Sequence, residues 1–309
     1  MIDQVQLDFD PSSLFLLNVV LGLVMFGIAL ELTIDDFKRV IAEPRAVIVG
    51  LVGQLLLLPA MTFLLILALE PHPSIALGMI LVAACPGGNM SNFFTHLSRG
   101  NSGLSISMTS VVTLTAVIAT PFNVAFWGSK IPSTAALLTE VHVDPIKMVT
   151  IIAMLLALPI ALGMSVRQKW PEGAKRWAKR FKSFSLVAFA AFVVIALGKN
   201  FDPFLEHIDK VFFLVLLHNG IALVLGYVLA SISGLEERDR RAITIEVGIQ
   251  NSGLGLVLIF NFFAGLGGMA VIAAWWGVWH LVAGLILGGY WARIEPVEAQ
   301  QPQQQTANG

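Results

Sequence analysis

Eight stretches of this chain run for sixteen residues or more without a single Asp, Glu, Lys or Arg: 11–30, 46–69, 71–98, 100–129, 148–166, 183–198, 211–235 and 247–292. A helix needs about 20 apolar residues to cross the hydrocarbon core of a bilayer. The last stretch is long enough for two spans, joined at Gly265-Leu266-Gly267-Gly268. The sequence therefore predicts an all-α polytopic membrane protein with nine transmembrane helices, at 14–30, 46–69, 75–97, 103–127, 148–166, 183–199, 211–233, 242–263 and 269–291. Charged residues make up 13% of the chain, about half the share in a soluble domain, which excludes a water-soluble enzyme. A net charge of −1 offers no basic field for nucleic acid. The lone Cys85 excludes a disulfide framework and a cysteine metal cluster.

Lys and Arg accumulate in cytoplasmic segments. With the N-terminus outside, the inner segments hold 15 of them and the outer segments 4 (Lys130, Lys147, Lys199, Lys210). That bias predicts an extracellular segment 1–13, a transporter-like membrane domain 14–291 and a cytoplasmic, disordered, low-complexity tail 292–309. Met1 to Ser13 is acidic and lacks the basic start of a signal peptide, so the first apolar run reads as a retained span. The basic stretch 167–182, with Trp170 and Trp177, reads as a cytoplasmic connector at the headgroups, with a lipid-binding regulatory site as the alternative.

Two spans are interrupted by polar and flexible residues. The third holds Cys85-Pro86-Gly87-Gly88-Asn89-Met90-Ser91-Asn92, and the eighth Glu246-Val247-Gly248-Ile249-Gln250-Asn251-Ser252-Gly253. Backbone that leaves the helix at membrane depth must be buried in protein or line a wet cavity. A packed glycine hinge explains one such segment. Two, one in each half of the chain, point to an inverted-repeat transporter with its site where the breaks meet. The carbonyl ends of broken helices suit a hard cation such as Na⁺, and the N–H ends an organic anion. No soft-ligand cluster calls for a transition metal. Glu246 is costly inside a span and marks function, unless it snorkels to the interface five residues beyond Arg241. Gln54 needs a partner, which interhelical glue would supply. Ser105 and Thr109 share a helix face, although such hydroxyls often only bond back to the preceding turn.

At these segments the sequence resembles the bile acid:sodium symporter family, along nearly the whole chain from Met25-Phe26-Gly27 and Asp36-Phe37 to Trp291. The most specific matches are Cys85-Pro86-Gly87-Gly88 with Ser91-Asn92, Arg99-Gly100-Asn101, His218-Asn219-Gly220 and the run from Glu246 to Gly253. The resemblance implies two broken helices that cross, panel and core subdomains, and two sodium sites. One would use Ser91, Asn92, Ser105, Thr109 and Glu246. The other would use Gln54, Glu246, Gln250 and the backbone carbonyls of Val247 and Ile249. Bacterial members often have ten spans; this chain starts where their second would lie, which implies a nine-span form with four and five helices in its repeats. The implied location is the cell (inner) membrane. Asn89 stands where the family often has Thr, and Leu281 follows His280 where it often has Asn. With Asn251, these residues lie near the implied substrate cavity. His218 and Asn219 read as helix–helix contacts.

The expected function is sodium-coupled import of a small organic anion, bile-acid-like or a carboxylate, with about two Na⁺ per substrate, by a protein for which a monomer suffices. The alternatives are a sodium/proton exchanger or sodium-independent exporter using Glu246, and, remotely, an intramembrane serine protease with Ser252 and His280 as a dyad. No G-x-S-x-G setting surrounds Ser252, which weakens the last.

Overall fold

A computed structural model describes residues 11–42, 44–141, 144–199 and 201–296 of the chain. The predicted N-terminal segment and tail therefore lie largely outside the described residues. Within them, helices occupy every predicted span. The first is α1 (Pro11–Ala29). It turns through 66° into α2 (Ile34–Ala42). Asp36 holds the turn by reaching back: the Thr33 N–H and hydroxyl both donate to its Oδ2, at 2.7 and 2.8 Å.

The second span joins α3 (Pro44–Val52) to α4 (Leu58–Leu69) through a π-helical turn at Gly53–Leu57. Pro59 causes this turn. It has no N–H for the carbonyl four residues back, Leu55, so the ladder widens. The freed Leu55 carbonyl accepts instead from Asn123 Nδ2 at 3.2 Å. The same Leu-Pro step at Leu158-Pro159 follows a second π turn, Ala153–Ala157, between α9 (Pro145–Ile152) and α10 (Leu158–Lys169).

The interrupted third span is α5 (Pro73–Ala84) and α6 (Asn89–Leu97), and the fourth is α7 (Ser102–Gly128). A short helix not expected from the sequence, α8 (Pro132–Glu140), follows it and packs against α5. The basic stretch 167–182, expected as a connector, is largely helical. α11 (Pro171–Lys199) starts almost at once after α10 and carries most of those cations in its first turns. Ala174 and Ala178 there are buried against Leu30, so packing extends the helix past the point where hydropathy ends. The chain continues through α12 (Phe201–Ile232), the interrupted pair α13 (Glu237–Gly248) and α14 (Ser252–Phe262), and α15 (Gly267–Ala292).

Five helical rods among the described residues are long and apolar enough to cross a membrane: Pro44–Leu69, Ser102–Gly128, Ile146–Lys169, Val211–Ile232 and Gly267–Ala292. The half-helices of the interrupted spans are too short to do so singly. Of these, α5 is the most deeply set: every residue from Ser74 to Ala84 is buried, largely against α15 and α7. Outer faces carry large exposed apolar side chains, such as Ile118, Phe122, Val224 and Ile286, which only lipid solvates without cost. The protein is an all-α polytopic membrane protein.

Candidate functional site

The two breaks lie side by side. Gly87 and Gln250 form an antiparallel β-bridge, and the Asn251 N–H donates to the Pro86 carbonyl at 2.8 Å. Four neighbouring carbonyls are each taken by a side chain. Thr120 Oγ1 donates to Ala84 O at 2.7 Å, Gln54 Nε2 to Cys85 O at 3.0 Å, Asn219 Nδ2 to Gly248 O at 2.7 Å and Gln250 Nε2 to Val247 O at 2.7 Å. An unpaired backbone group in an apolar surround costs several kcal/mol, so these four side chains make the breaks tolerable. Gly87 is required by proximity. A Cβ there would stand 2.8 Å from Glu246 Oε2.

Glu246 is 2% exposed and does not snorkel. Its Oε1 accepts from Ser91 Oγ at 2.6 Å, Ser105 Oγ at 2.5 Å and Thr109 Oγ1 at 3.0 Å, and Thr109 also reaches Oε2 at 3.1 Å. The same hydroxyls face other oxygens: Ser91 the Gly88 carbonyl at 2.6 Å, and Ser105 and Thr109 the Asn92 Oδ1 at 2.8 and 3.3 Å. Three hydroxyl protons thus serve two carboxylate oxygens, an amide oxygen and a carbonyl. No ion pair to Glu246 occurs among the described residues. A buried carboxylate amid oxygens, with no cationic side chain, has the chemistry of a hard-cation shell. Ser105 and Thr109 differ here from Ser107, Ser110 and Thr113 on the same helix, which do bond back to the preceding turn.

Beside this cluster Gln54 and Gln250 form an amide pair. Gln54 Nε2 donates to Gln250 Oε1 at 2.7 Å, and Gln250 Nε2 lies 3.3 Å from Gln54 Oε1. Gln54 owes its position to the π turn. Of the two carbonyls expected to join this group, Val247 O is occupied by Gln250, while Ile249 O lies across from Gly87.

The residues expected to face a substrate are more scattered. Asn89 begins α6, but its side chain lies outside the described residues. Asn251 caps α14 by accepting from the Leu254 N–H at 3.0 Å, so that helix start is less open than the sequence suggested. The same Asn-Ser-Gly-Leu cap recurs at Asn101, which accepts from Leu104 N at 3.0 Å. Leu281 packs with Phe94, Ile245 and Ile249. His280 is buried, and its Nδ1 has no hydrogen-bond partner. Ser252 Oγ has none either, so Ser252 and His280 do not form the dyad that a protease would need. His218 lies 2.7 Å from Thr62 Oγ1 and edge-on to Trp276, a helix–helix contact.

Sequence reasoning overlooked the capping side chains Thr120 and Asn123, and the buried Arg241. The isolated Asn123 in an apolar run was their one available signal.

Comparison with known proteins gives the same chemistry a context. The family described as the Sodium Bile acid symporter family matches residues 18–207. The uncharacterized sodium-dependent transporter YocS of Bacillus subtilis (strain 168) is 33% identical over 292 residues, covering 93% of this chain and 88% of that protein. The probable chloroplastic sodium/metabolite cotransporter BASS1 of Arabidopsis thaliana is 31% identical over 280 residues, 91% of this chain and 67% of the relative. The human P3 protein is 30% identical over 242 residues, and the match spans 76% of this chain but 48% of the relative. The protein is a sodium-dependent transporter and not an enzyme. Matched over more than half its length by the family and over nearly all of it by a bacterial transporter, the chain belongs to the sodium bile acid symporter family.

Proposed function

We propose that the protein imports a small organic anion across the cell (inner) membrane together with two Na⁺ ions, by alternating access. The observation that carries this reading is Glu246: a buried carboxylate whose neighbours are hydroxyl and amide oxygens rather than cations. One Na⁺ is bound by Glu246 with Ser91, Asn92, Ser105 and Thr109. The second is bound by Gln54, Gln250 and Glu246, with Val247 and Ile249 contributing carbonyls once Gln250 rotates off Val247 O. Na⁺ is cargo here. Two Na⁺ against one carboxylate leave about one positive charge beside the breaks, which favours an anionic substrate near Asn89, Asn251 and His280. Similarity to a probable sodium/metabolite cotransporter supports a small metabolite as the substrate. The chain crosses the membrane nine times, N-terminus outside and C-terminus in the cytoplasm.

The test is uptake into proteoliposomes of a panel of radiolabelled carboxylates and bile salts, driven by an inward Na⁺ gradient and, in parallel, by a K⁺ gradient. Uptake of at least one anion with Na⁺ and none with K⁺ is expected. Equal uptake with both ions, or uptake driven by a proton gradient alone, would replace symport with the exporter or exchanger reading.

A further inference from the structure

Arg241 is 2% exposed, and its position on α13 is unusual for a guanidinium in such a chain. Nε donates to Glu237 Oε1 at 3.1 Å, one turn earlier on the same helix. Nη1 faces three carbonyls: Ser98 O at 2.9 Å, Ile294 O at 3.0 Å and Trp291 O at 3.2 Å. The guanidinium carbon lies 5.5 Å from the Trp291 ring centroid, and Trp291 stacks on Tyr227, whose hydroxyl donates to Glu237 Oε2 at 3.3 Å. Ser98 ends α6, and Trp291 and Ile294 flank the end of α15. One cation thus satisfies the negative, carbonyl ends of two helices, with a carboxylate and an aromatic face to offset its desolvation.

The two half-helices joined by this contact are those that build the Glu246 cluster. α6 brings Ser91 and Asn92, and α13 brings Glu246. They run in opposite directions and are tied at the cluster by Ser91 Oγ to Glu246 Oε1 at 2.6 Å, and at the far end by Arg241 to Ser98 O at 2.9 Å. At about 1.5 Å per residue the ties stand roughly 10 Å apart along α6 and 8 Å along α13. α6 is nine residues long and begins in extended backbone at Gly88. The Gly87–Gln250 bridge, the packing of Phe94 with Ile245 and Ile249, and the bonds of Asn101 to Arg238 O and Asp239 also hold this pair, and Arg241 adds to them a buried charged tie at the end of α6.

We infer that Arg241 is a positioning residue for the sodium site, fastening α6 to α13 so that Ser91 and Asn92 meet Glu246 before the ion arrives. The inference rests on the sodium reading of that cluster. Its consequence is thermodynamic: if loosening the tie cuts the assembled fraction to about a tenth, the ion must supply the ordering, and its apparent affinity falls about ten-fold. Lysine cannot replace the arginine, because one ammonium lacks the planar fork that reaches Glu237 and the carbonyls together.

The experiment is a Na⁺ titration of the thermal unfolding midpoint of the full chain in detergent, with K⁺ keeping ionic strength constant. It compares the native protein, Arg241→Lys, Glu237→Gln, and Thr134→Val in the distant α8, which loses a hydrogen bond to Gly128 O at the end of α7. The native protein should respond to Na⁺. Arg241→Lys should need about ten-fold more Na⁺ for half the shift, and Glu237→Gln a smaller excess. Thr134→Val should lower the midpoint yet keep the native Na⁺ requirement. Native-like Na⁺ requirements in Arg241→Lys and Glu237→Gln, whatever their midpoints, would overturn the inference and leave Arg241 a purely structural ion. Should Arg241→Lys fail to fold, Glu237→Gln decides alone. A native protein indifferent to Na⁺ would instead sink the sodium reading, and the inference with it.

Discussion

Asn18 and Asn261 exchange hydrogen bonds, the Nδ2 of each donating to the Oδ1 of the other at 3.3 and 3.0 Å. The pair joins α1, which otherwise packs on α10 and α11, to α14, which belongs to the broken-helix bundle. Apolar side chains of α1 and α14 pack around the pair in the shared core, so movement of α1 against α14 must part both.

If transport requires α1 and α14 to separate there, tethering the pair should stop it. Cysteines at Asn18 and Asn261, joined by a short bifunctional thiol reagent, should abolish Na⁺-driven uptake while leaving the Na⁺-induced thermal shift intact. The native Cys85 is buried and will not compete. Full uptake by the cross-linked protein, verified by mass spectrometry, would show that this contact does not open.

Glu246→Gln keeps the shape of the side chain and removes its charge. Na⁺-dependent stabilisation and uptake should both vanish, because the carboxylate is shared by both proposed ions. Ser105→Ala removes one neutral oxygen of several and should raise the Na⁺ concentration for half-maximal uptake by about ten-fold, the equivalent of roughly 1.4 kcal/mol. A Glu246→Gln protein with a native sodium response would refute the assignment.

Gly87 and Gly88 are adjacent but should differ. A Cβ at Gly87 meets Glu246 Oε2 at 2.8 Å, whereas at Gly88 its nearest neighbour is Asn251 Cα at 3.7 Å. Gly87→Ala should cost about 1–3 kcal/mol, as overpacking does, and blunt the Na⁺ response. Gly88→Ala should be close to neutral in both. Thermal unfolding with and without Na⁺ reads the difference.

Two Na⁺ carried with one monovalent anion move one net charge inward, a gain of about 2.3 kcal/mol per 100 mV. Uptake into proteoliposomes should therefore accelerate when a K⁺ diffusion potential makes the interior negative. Asn89→Ala should weaken the anion's half-saturation without changing the thermal shift by Na⁺. Voltage-independent uptake would contradict the two-ion count.

Much of this was legible in the sequence because lipid imposes a simple rule: a spanning helix must be apolar and must satisfy its own backbone. The charge-free runs locate the helices for that reason. Pro86, Gly87 and the polar residues after Glu246 stand out because they break the rule. Which side chain repairs each break was not legible. Thr120, Asn123 and Asn219 reach carbonyls 29 to 68 residues away, and tertiary packing alone decides those partners. Arg241 was hidden differently. At the charged end of a predicted span it reads as one more interfacial cation, and only the carbonyls of Ser98, Trp291 and Ile294 reveal it as buried. The α10–α11 junction was missed because hydropathy ends there while helix packing does not.

The bridge between Gly87 and Gln250 also bears on biosynthesis. Ser91 and Glu246 are separated by 155 residues, and at about 5–20 residues per second a ribosome takes roughly 8–30 seconds to make that interval. For that time the first break has been synthesised without the Asn251 N–H that will occupy Pro86 O. The nascent third span must wait in contact with water, headgroups or the insertion machinery, and it completes its hydrogen bonding only when α13 and α14 arrive. A chain truncated before Glu246 should therefore be a poorly inserted substrate for membrane quality control rather than a stable half-transporter.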